Sequence, residues 1–239
     1  MTERSSIELV FRDIEENYNV IKENIEKAAG SIGVSSEDIR FMAVTKTVQP
    51  VFINHALSLG IDLIGENKVQ ELLEKKPLLN GRYESHLIGH LQTNKVKKII
   101  HEVSMIQSVD SIRLAAEISK QAAAAEKTMD VLLEINIASE ESKTGFLPQS
   151  FTEEALQIAE MSSVRIRGMM AVPPVCESES EIRKWFSAVR LKYEEMKSYP
   201  ALKNMDILSM GMSSDYSQAI LEGANLVRVG SALFGNRRY

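Results

Sequence analysis

The chain has 239 residues, 44% hydrophobic and 26% charged, with 28 Lys and Arg against 33 Asp and Glu for a net charge of -5. That composition supports a sizeable core and sets aside disorder, and its mild acidity argues against a dedicated nucleic-acid binder, whose footprint is a basic excess. The single cysteine, Cys176, closes no intrachain disulfide, no apolar run approaches the ~18 residues that span a bilayer, and the acidic, interrupted N-terminus does not read as a signal peptide, so a soluble cytoplasmic protein is expected.

A helix is expected first, starting at Ser5, which with Glu8 fits a capping box. Ile7, Val10, Phe11, Ile14, Tyr18, Ile21 and Ile25 then recur at helical spacing, and Gly30 is the expected stop. Three heptads is short for a coiled coil, so this stripe is read as packing on the body of the protein. After it, short apolar runs alternate with helical patterns. The runs are Phe41–Val44, Leu63–Gly65, His86–Ile88, Met105–Ile106, Val131–Ile137, Val164–Met170, Met205–Ser209 and Leu226–Val229. Helical segments are expected over 50–60, 66–76, 92–101, 111–126, 148–162, 178–198 and 213–222, with Pro50 in a first turn, Ser178 and Glu181 as a capping box, and Ser213 or Ser214 as a cap. Eight strands, each followed by a helix, in about 250 residues is the count for a (β/α)8 TIM barrel, whereas an open doubly wound sheet seldom runs to eight units at this spacing. No linker or fixed-period repeat interrupts the pattern. Residues 1–239 therefore read as one α/β barrel domain with an extra N-terminal helix over 1–30.

A barrel of this kind carries its site at the C-terminal strand ends. On the first strand Met42, Val44 and Lys46 share a face; the two apolar residues belong inside, which carries Lys46 inward at the rim. Partial desolvation favours the neutral amine and so attack on a carbonyl, while the bland alternative is a rim lysine paired with Glu66. On the last strand Val227 and Val229 suit the layer under the helices, so Arg228 points into the mouth with Leu226 and Gly230. Two inward cations need acidic neighbours or a ligand. Gly230-Ser231 leads into a short helical turn, and exposed N–H groups there, with Ser213 and Ser214, suit an anion such as phosphate.

Other residues carry less. His86 and His90 fall on a strand and a loop rather than one helix face, so no zinc site is expected. His55 and His101 read as surface or packing residues, Cys176 as a free thiol, and Lys95, Lys97 and Lys98 as a solvated helix face. A Gly-rich P-loop and a G-x-S-x-G elbow are both absent from the sequence.

Several blocks form a specific signature. They are Ala43-Val44-Thr45-Lys46-Thr47, Gly65-Glu66-Asn67-Lys68-Val69-Gln70-Glu71, the stretch from His86 to Lys95, Asn136 with Lys143-Thr144-Gly145-Phe146, Gly168-Met169-Met170, the stretch from Leu208 to Asp215, and the stretch from Val227 to Gly235. In this order and over almost the whole chain, they resemble the pyridoxal phosphate homeostasis protein family. The resemblance implies the fold-type III barrel of the alanine racemase N-terminal domain, without the C-terminal β-domain of racemases, and pyridoxal 5'-phosphate (PLP) held as a Schiff base. It implies that Lys46 is the Schiff-base lysine, that Arg228 faces the pyridine nitrogen, that Ser213, Gly230 and Ser231 hold the phosphate, and that Asn67, Ser209 and Met212 complete the cofactor pocket. Thr45 and Ser231, where the family commonly has Ser and Thr, keep their hydroxyls.

An arginine only donates, so beside the ring nitrogen it disfavours the protonated, electron-withdrawing pyridine that most PLP reactions need. The expected function is therefore PLP homeostasis, buffering the cofactor or delivering it to apoenzymes as a non-catalytic monomer. An amino-acid racemase using Lys46 and His90 is the alternative, and a cofactor-free Schiff-base aldolase a third reading.

Overall fold

The computed structural model describes residues 3–235, the side chains of 3–6 excepted. The strands are β1 (Arg40–Val44), β2 (Leu63–Glu66), β3 (Glu84–Leu87), β4 (Met105–Val109), β5 (Met129–Ile135), β6 (Val164–Ala171), β7 (Ile207–Ser209) and β8 (Leu226–Val229). All pair in parallel in chain order, and β8 returns to β1 with Ala43 opposite Val229, so the sheet closes into a barrel. The helices are α1 (Glu3–Ser31), α2 (Pro50–Ser58), α3 (Val69–Lys75), α4 (Val96–Ile99), α5 (Ile112–Ala124), α6 (Phe151–Ala159), α7 (Glu179–Lys197), α8 (Tyr216–Leu221) and α9 (Ser231–Phe234).

Strand alternation sorts the side chains. Met42, Leu63, Met105, Leu132, Met170, Ile207 and Leu226 fill the barrel lumen, while residues of the opposite parity, such as Ala43, Leu133, Val227 and Val229, join the core beneath the helices. Burial on both faces explains why the strands read as apolar runs rather than alternating ones. β8 has the expected bounds, while the other strands start or stop one to three residues from theirs, and β3 begins at Glu84 rather than His86 and β7 at Ile207 rather than Met205. Two of the differences involve polar residues. β4 continues through Gln107 and Ser108, which are fully buried despite their polarity, and β5 stops before Asn136 and Ile137, because Asn136 leaves the ladder to clamp the backbone of Glu140.

Helix α1 differs from its expected ends. It is already formed at Glu3, upstream of Ser5; the Ser5 side chain, and with it the expected capping box, lies outside the described residues. It also runs through Gly30 to Ser31. The stop is Gly33, at φ +74°, with Val34 N–H bonded to Ala29 O and Gly33 N–H to Gly30 O. This is a Schellman closure, which favours a residue without a Cβ at that left-handed position. The expected stripe packs down, with Ile14, Ile21 and Ile25 buried. Asn24 Nδ2 donates to the Tyr216 hydroxyl of α8 at 2.9 Å, Asn17 Nδ2 donates to Leu233 O of α9 at 3.0 Å, and Phe11 stacks on His55 of α2. The first helix thus braces the last two. Pro50 opens α2, and the Ser178 hydroxyl accepts from Glu181 N–H, as expected. The serine cap of α8 is corrected: the helix starts at Tyr216, the Asp215 carboxylate accepts Met212 N–H, and Ser213 turns elsewhere. Among the described residues, no helix is long and apolar enough to cross a membrane.

Candidate functional site

The C-terminal strand ends open onto a cavity of about 630 Å³. Lys46 enters from the end of β1, Asn67 from β2, Met212 and Ser213 from the turn after β7, Arg228 from β8, and Gly230 and Ser231 from the turn into α9. Val44, Ile88 and Val172 supply apolar wall. Seven of the eight expected site residues therefore meet in one cavity. The eighth, Ser209, is fully buried just behind Arg228, whose Nη1 donates to its hydroxyl at 2.7 Å.

The Lys46 amine makes no hydrogen bond or ion pair with another described residue, its backbone carbonyl alone accepting from the Thr47 hydroxyl. The alternative pairing with Glu66 is corrected by parity: Gly65 faces the lumen, so Glu66 faces outward. There Lys75 Nζ bonds Glu66 at 2.8 Å, Glu71 at 2.5 Å and Thr45 O at 2.6 Å, while Thr45 Oγ1 donates to Glu66 at 2.7 Å and Thr47 N–H donates to Glu71. Both neighbours of Lys46 are thus tied by their backbone to one ion cluster behind the sheet, which fixes the lysine's Cα and leaves its amine without a partner among the described residues. Burial pushes the Glu66 carboxyl above its ordinary value, against the opposing pull of Lys75 and Thr45.

Arg228 is 4% exposed. Besides Ser209 it donates through Nη2 to Ala171 O at 2.9 Å, and no ion pair engages it among the described residues. Burial lowers its guanidinium to about 10, with Glu134 and Asp215 opposing from a distance, so it stays cationic at neutral pH. Two of its five N–H groups are used. The Ser213 hydroxyl accepts from Gly230 N–H and Ala232 N–H, both at 3.1 Å, so its lone pairs are committed and its hydrogen is left to point into the cavity. Asn67 Oδ1 is buried without a hydrogen-bond partner. Gly89 explains how Asn67 is held: a Cβ there would lie 2.4 Å from Asn67 O, so only glycine lets the loop after β3 rest on that backbone. The cavity therefore offers one free amine, guanidinium and hydroxyl donors, one amide acceptor and apolar walls, a set that fits a flat aromatic aldehyde carrying an anionic group.

Comparison with known proteins agrees. The family model for the alanine racemase N-terminal domain matches residues 16–238. A pyridoxal phosphate homeostasis protein from Aquifex aeolicus is 38% identical over 94% of this chain and 98% of its own. This chain belongs to the pyridoxal phosphate homeostasis protein family. A solved structure of family member PipY from Synechococcus elongatus, with PLP bound, has a TM-score of 0.78 and 31% identity over 88% of this chain and 100% of that one. An alanine racemase from Clostridium difficile shares the fold alone, with a TM-score of 0.77 at 16% identity; the match covers 95% of this chain and 60% of the racemase.

Within this family member, some expected chemistry lies elsewhere. His90 is 56% exposed and bonded to Asp110 at 2.9 Å, and it does not line the cavity. Asn136 is closed onto its own loop. Residues the sequence reading passed over include Lys75, Gln107, His86 as a buried hydrogen-bond partner, and Glu134, whose carboxyl accepts from Thr144 and is raised by burial.

Proposed function

We propose that this protein binds PLP in the barrel-mouth cavity, as a Schiff base on Lys46, and serves intracellular PLP homeostasis by buffering and releasing the cofactor. The observation that carries this reading is the meeting of Lys46, whose amine has no partner among the described residues, with the buried Arg228, which has no ion pair among them, and the Ser213–Gly230–Ser231 turn. Lys46 Nζ adds to the aldehyde carbon, forming a C=N bond while the carbonyl oxygen leaves as water. Arg228 donates to the ring nitrogen, Ser213 and the backbone of Gly230 and Ser231 receive the phosphate, and Asn67 and Met212 flank the ring. Bound PLP supplies an electrophilic carbon and, when its ring nitrogen is protonated, an electron sink. A guanidinium beside that nitrogen keeps it unprotonated, which favours a carrier over a catalyst. A racemase needs a second base over the opposite face of the substrate, and His90, the expected one, is turned to Asp110 outside the cavity.

The test is visible absorption of the purified protein with PLP, before and after borohydride, with the intact mass. A yellow protein that bleaches and keeps a reduced adduct on Lys46, absent in Lys46→Ala, supports the reading; no adduct on the wild type overturns it. Exchange of the α-hydrogen of added amino acids with solvent deuterium would instead establish the racemase.

A further inference from the structure

A line of buried polar side chains crosses the apolar lumen beneath the cavity. Arg228 Nη1 donates to Ser209 Oγ at 2.7 Å, Ser209 Oγ to Gln107 Oε1 at 2.8 Å, and Gln107 Nε2 meets His86 Nδ1 at 2.9 Å. His86 Nε2 then stands 3.6 Å from the Glu84 carboxylate, at the opposite end of the barrel, without a hydrogen-bond partner. Ser209, Gln107 and His86 are each 0% exposed. The line joins β8 and β7 on one side of the barrel to β4 and β3 on the other.

Its polarity follows from the donor inventory. Arginine only donates, so the Ser209 oxygen accepts and one hydroxyl hydrogen remains. Gln107 presents either its carbonyl or its amide to Ser209, and the opposite group to His86. With the carbonyl toward Ser209, the amide donates to a bare Nδ1 and the imidazole proton sits on Nε2, facing the Glu84 carboxylate. In the reversed arrangement, a bare Nε2 would face that carboxylate, acceptor against acceptor. Glu84 thus selects the first arrangement. The other charged groups acting on His86 are Arg40 and Asp130, and burial holds its imidazole neutral.

We propose that Gln107 and His86 are positioning residues: they commit the Ser209 hydrogen to Gln107, which fixes the Ser209 oxygen as the acceptor that orients Arg228 toward the ring nitrogen of the bound cofactor. The proposal rests on the reading of the cavity as a PLP site. Its consequence is selectivity: the Arg228 guanidinium presents only donors, which suit an unprotonated ring nitrogen and not a protonated one.

Two measurements test this. ¹⁵N NMR of the histidines in the wild-type protein is expected to show His86 protonated on Nε2 with Nδ1 bare; a proton on Nδ1 overturns the proposal. Titration with PLP is expected to show a Kd raised about tenfold and a shifted visible band for Gln107→Leu, about the loss of one buried hydrogen bond. His86→Asn, which keeps an acceptor near the Nδ1 position, is expected to stay close to wild type. A Gln107→Leu protein with wild-type Kd and spectrum also overturns the proposal, and if that variant does not fold, the NMR measurement decides alone. If wild-type protein forms no Lys46 adduct, the PLP reading fails, while the NMR still judges the hydrogen-bond line.

Discussion

Replacing Arg228 by Gln separates a ligand contact from a structural charge. The guanidinium bonds Ser209 and Ala171 and has no ion pair among the described residues, so removing it strips no described carboxylate of a partner. Glutamine reaches one of the two acceptors. The acceptor left over costs about 1–3 kcal/mol, and loss of a buried cation offsets part of that. At about 2–4 °C per kcal/mol for a chain of this length, the Tm without PLP is expected to fall by no more than about 12 °C. The loss at the ligand is larger, because a charge-assisted hydrogen bond is worth about 1.5–3 kcal/mol, which is a 10- to 150-fold rise in Kd. Thermal melts without PLP and a spectrophotometric PLP titration read the two effects separately. A variant that does not fold without PLP would show that Arg228 serves a structural ion pair; an unchanged Kd and spectrum would show that it never faces the ligand.

Lys75→Met leaves Glu66 buried without its cation, and the expected cost is about 3–5 kcal/mol, a Tm fall of roughly 6–20 °C with slower PLP capture at Lys46; a Tm within 2–3 °C of wild type would refute the role of the cluster. Gly89→Ala forces a methyl against Asn67 O and is expected to weaken PLP binding more than it lowers Tm, which the same melts and titration compare. His86, with an ordinary value of 6.5, is held below it by burial, so its neutral form contributes stability that is present above about pH 6.5 and lost as pH falls, because the unfolded chain then takes up the proton first. The Tm difference between wild type and His86→Asn is therefore expected to shift in the variant's favour from pH 7 to pH 5; no shift would contradict a buried neutral imidazole.

Much of this could be read from residue order because two periodicities carry it. Apolar runs spaced by helical stripes gave the barrel, and the period of two along β1 and β8 placed Lys46 and Arg228 inside. That same parity, applied to β2, would have turned Glu66 outward, since Gly65 and Glu66 cannot share a face. Gln107 and His86 were not legible as partners: their bond crosses the lumen between strands, and a buried glutamine has no sequence mark other than a polar residue ending an apolar run. The stop of α1 was misplaced because a helix interior tolerates Gly30 when the left-handed closure falls at Gly33. The sequence offers Ser213 or Ser214 as a helix cap and Ser213 as a phosphate ligand, whereas tertiary structure turns the Ser213 oxygen to Gly230 and Ala232 N–H across the site.

The seam between β1 and β8 joins the two ends of the fold, and the cavity straddles it, with Lys46 on one lip and Arg228 on the other. This is the pairing with the greatest sequence separation in the barrel, so its loop-closure entropy is the largest. A molecule held by both lips acts as a staple across that seam. Its protective effect should concentrate in slowed amide hydrogen exchange along β1 and β8, leaving β4 and β5 nearly unaffected.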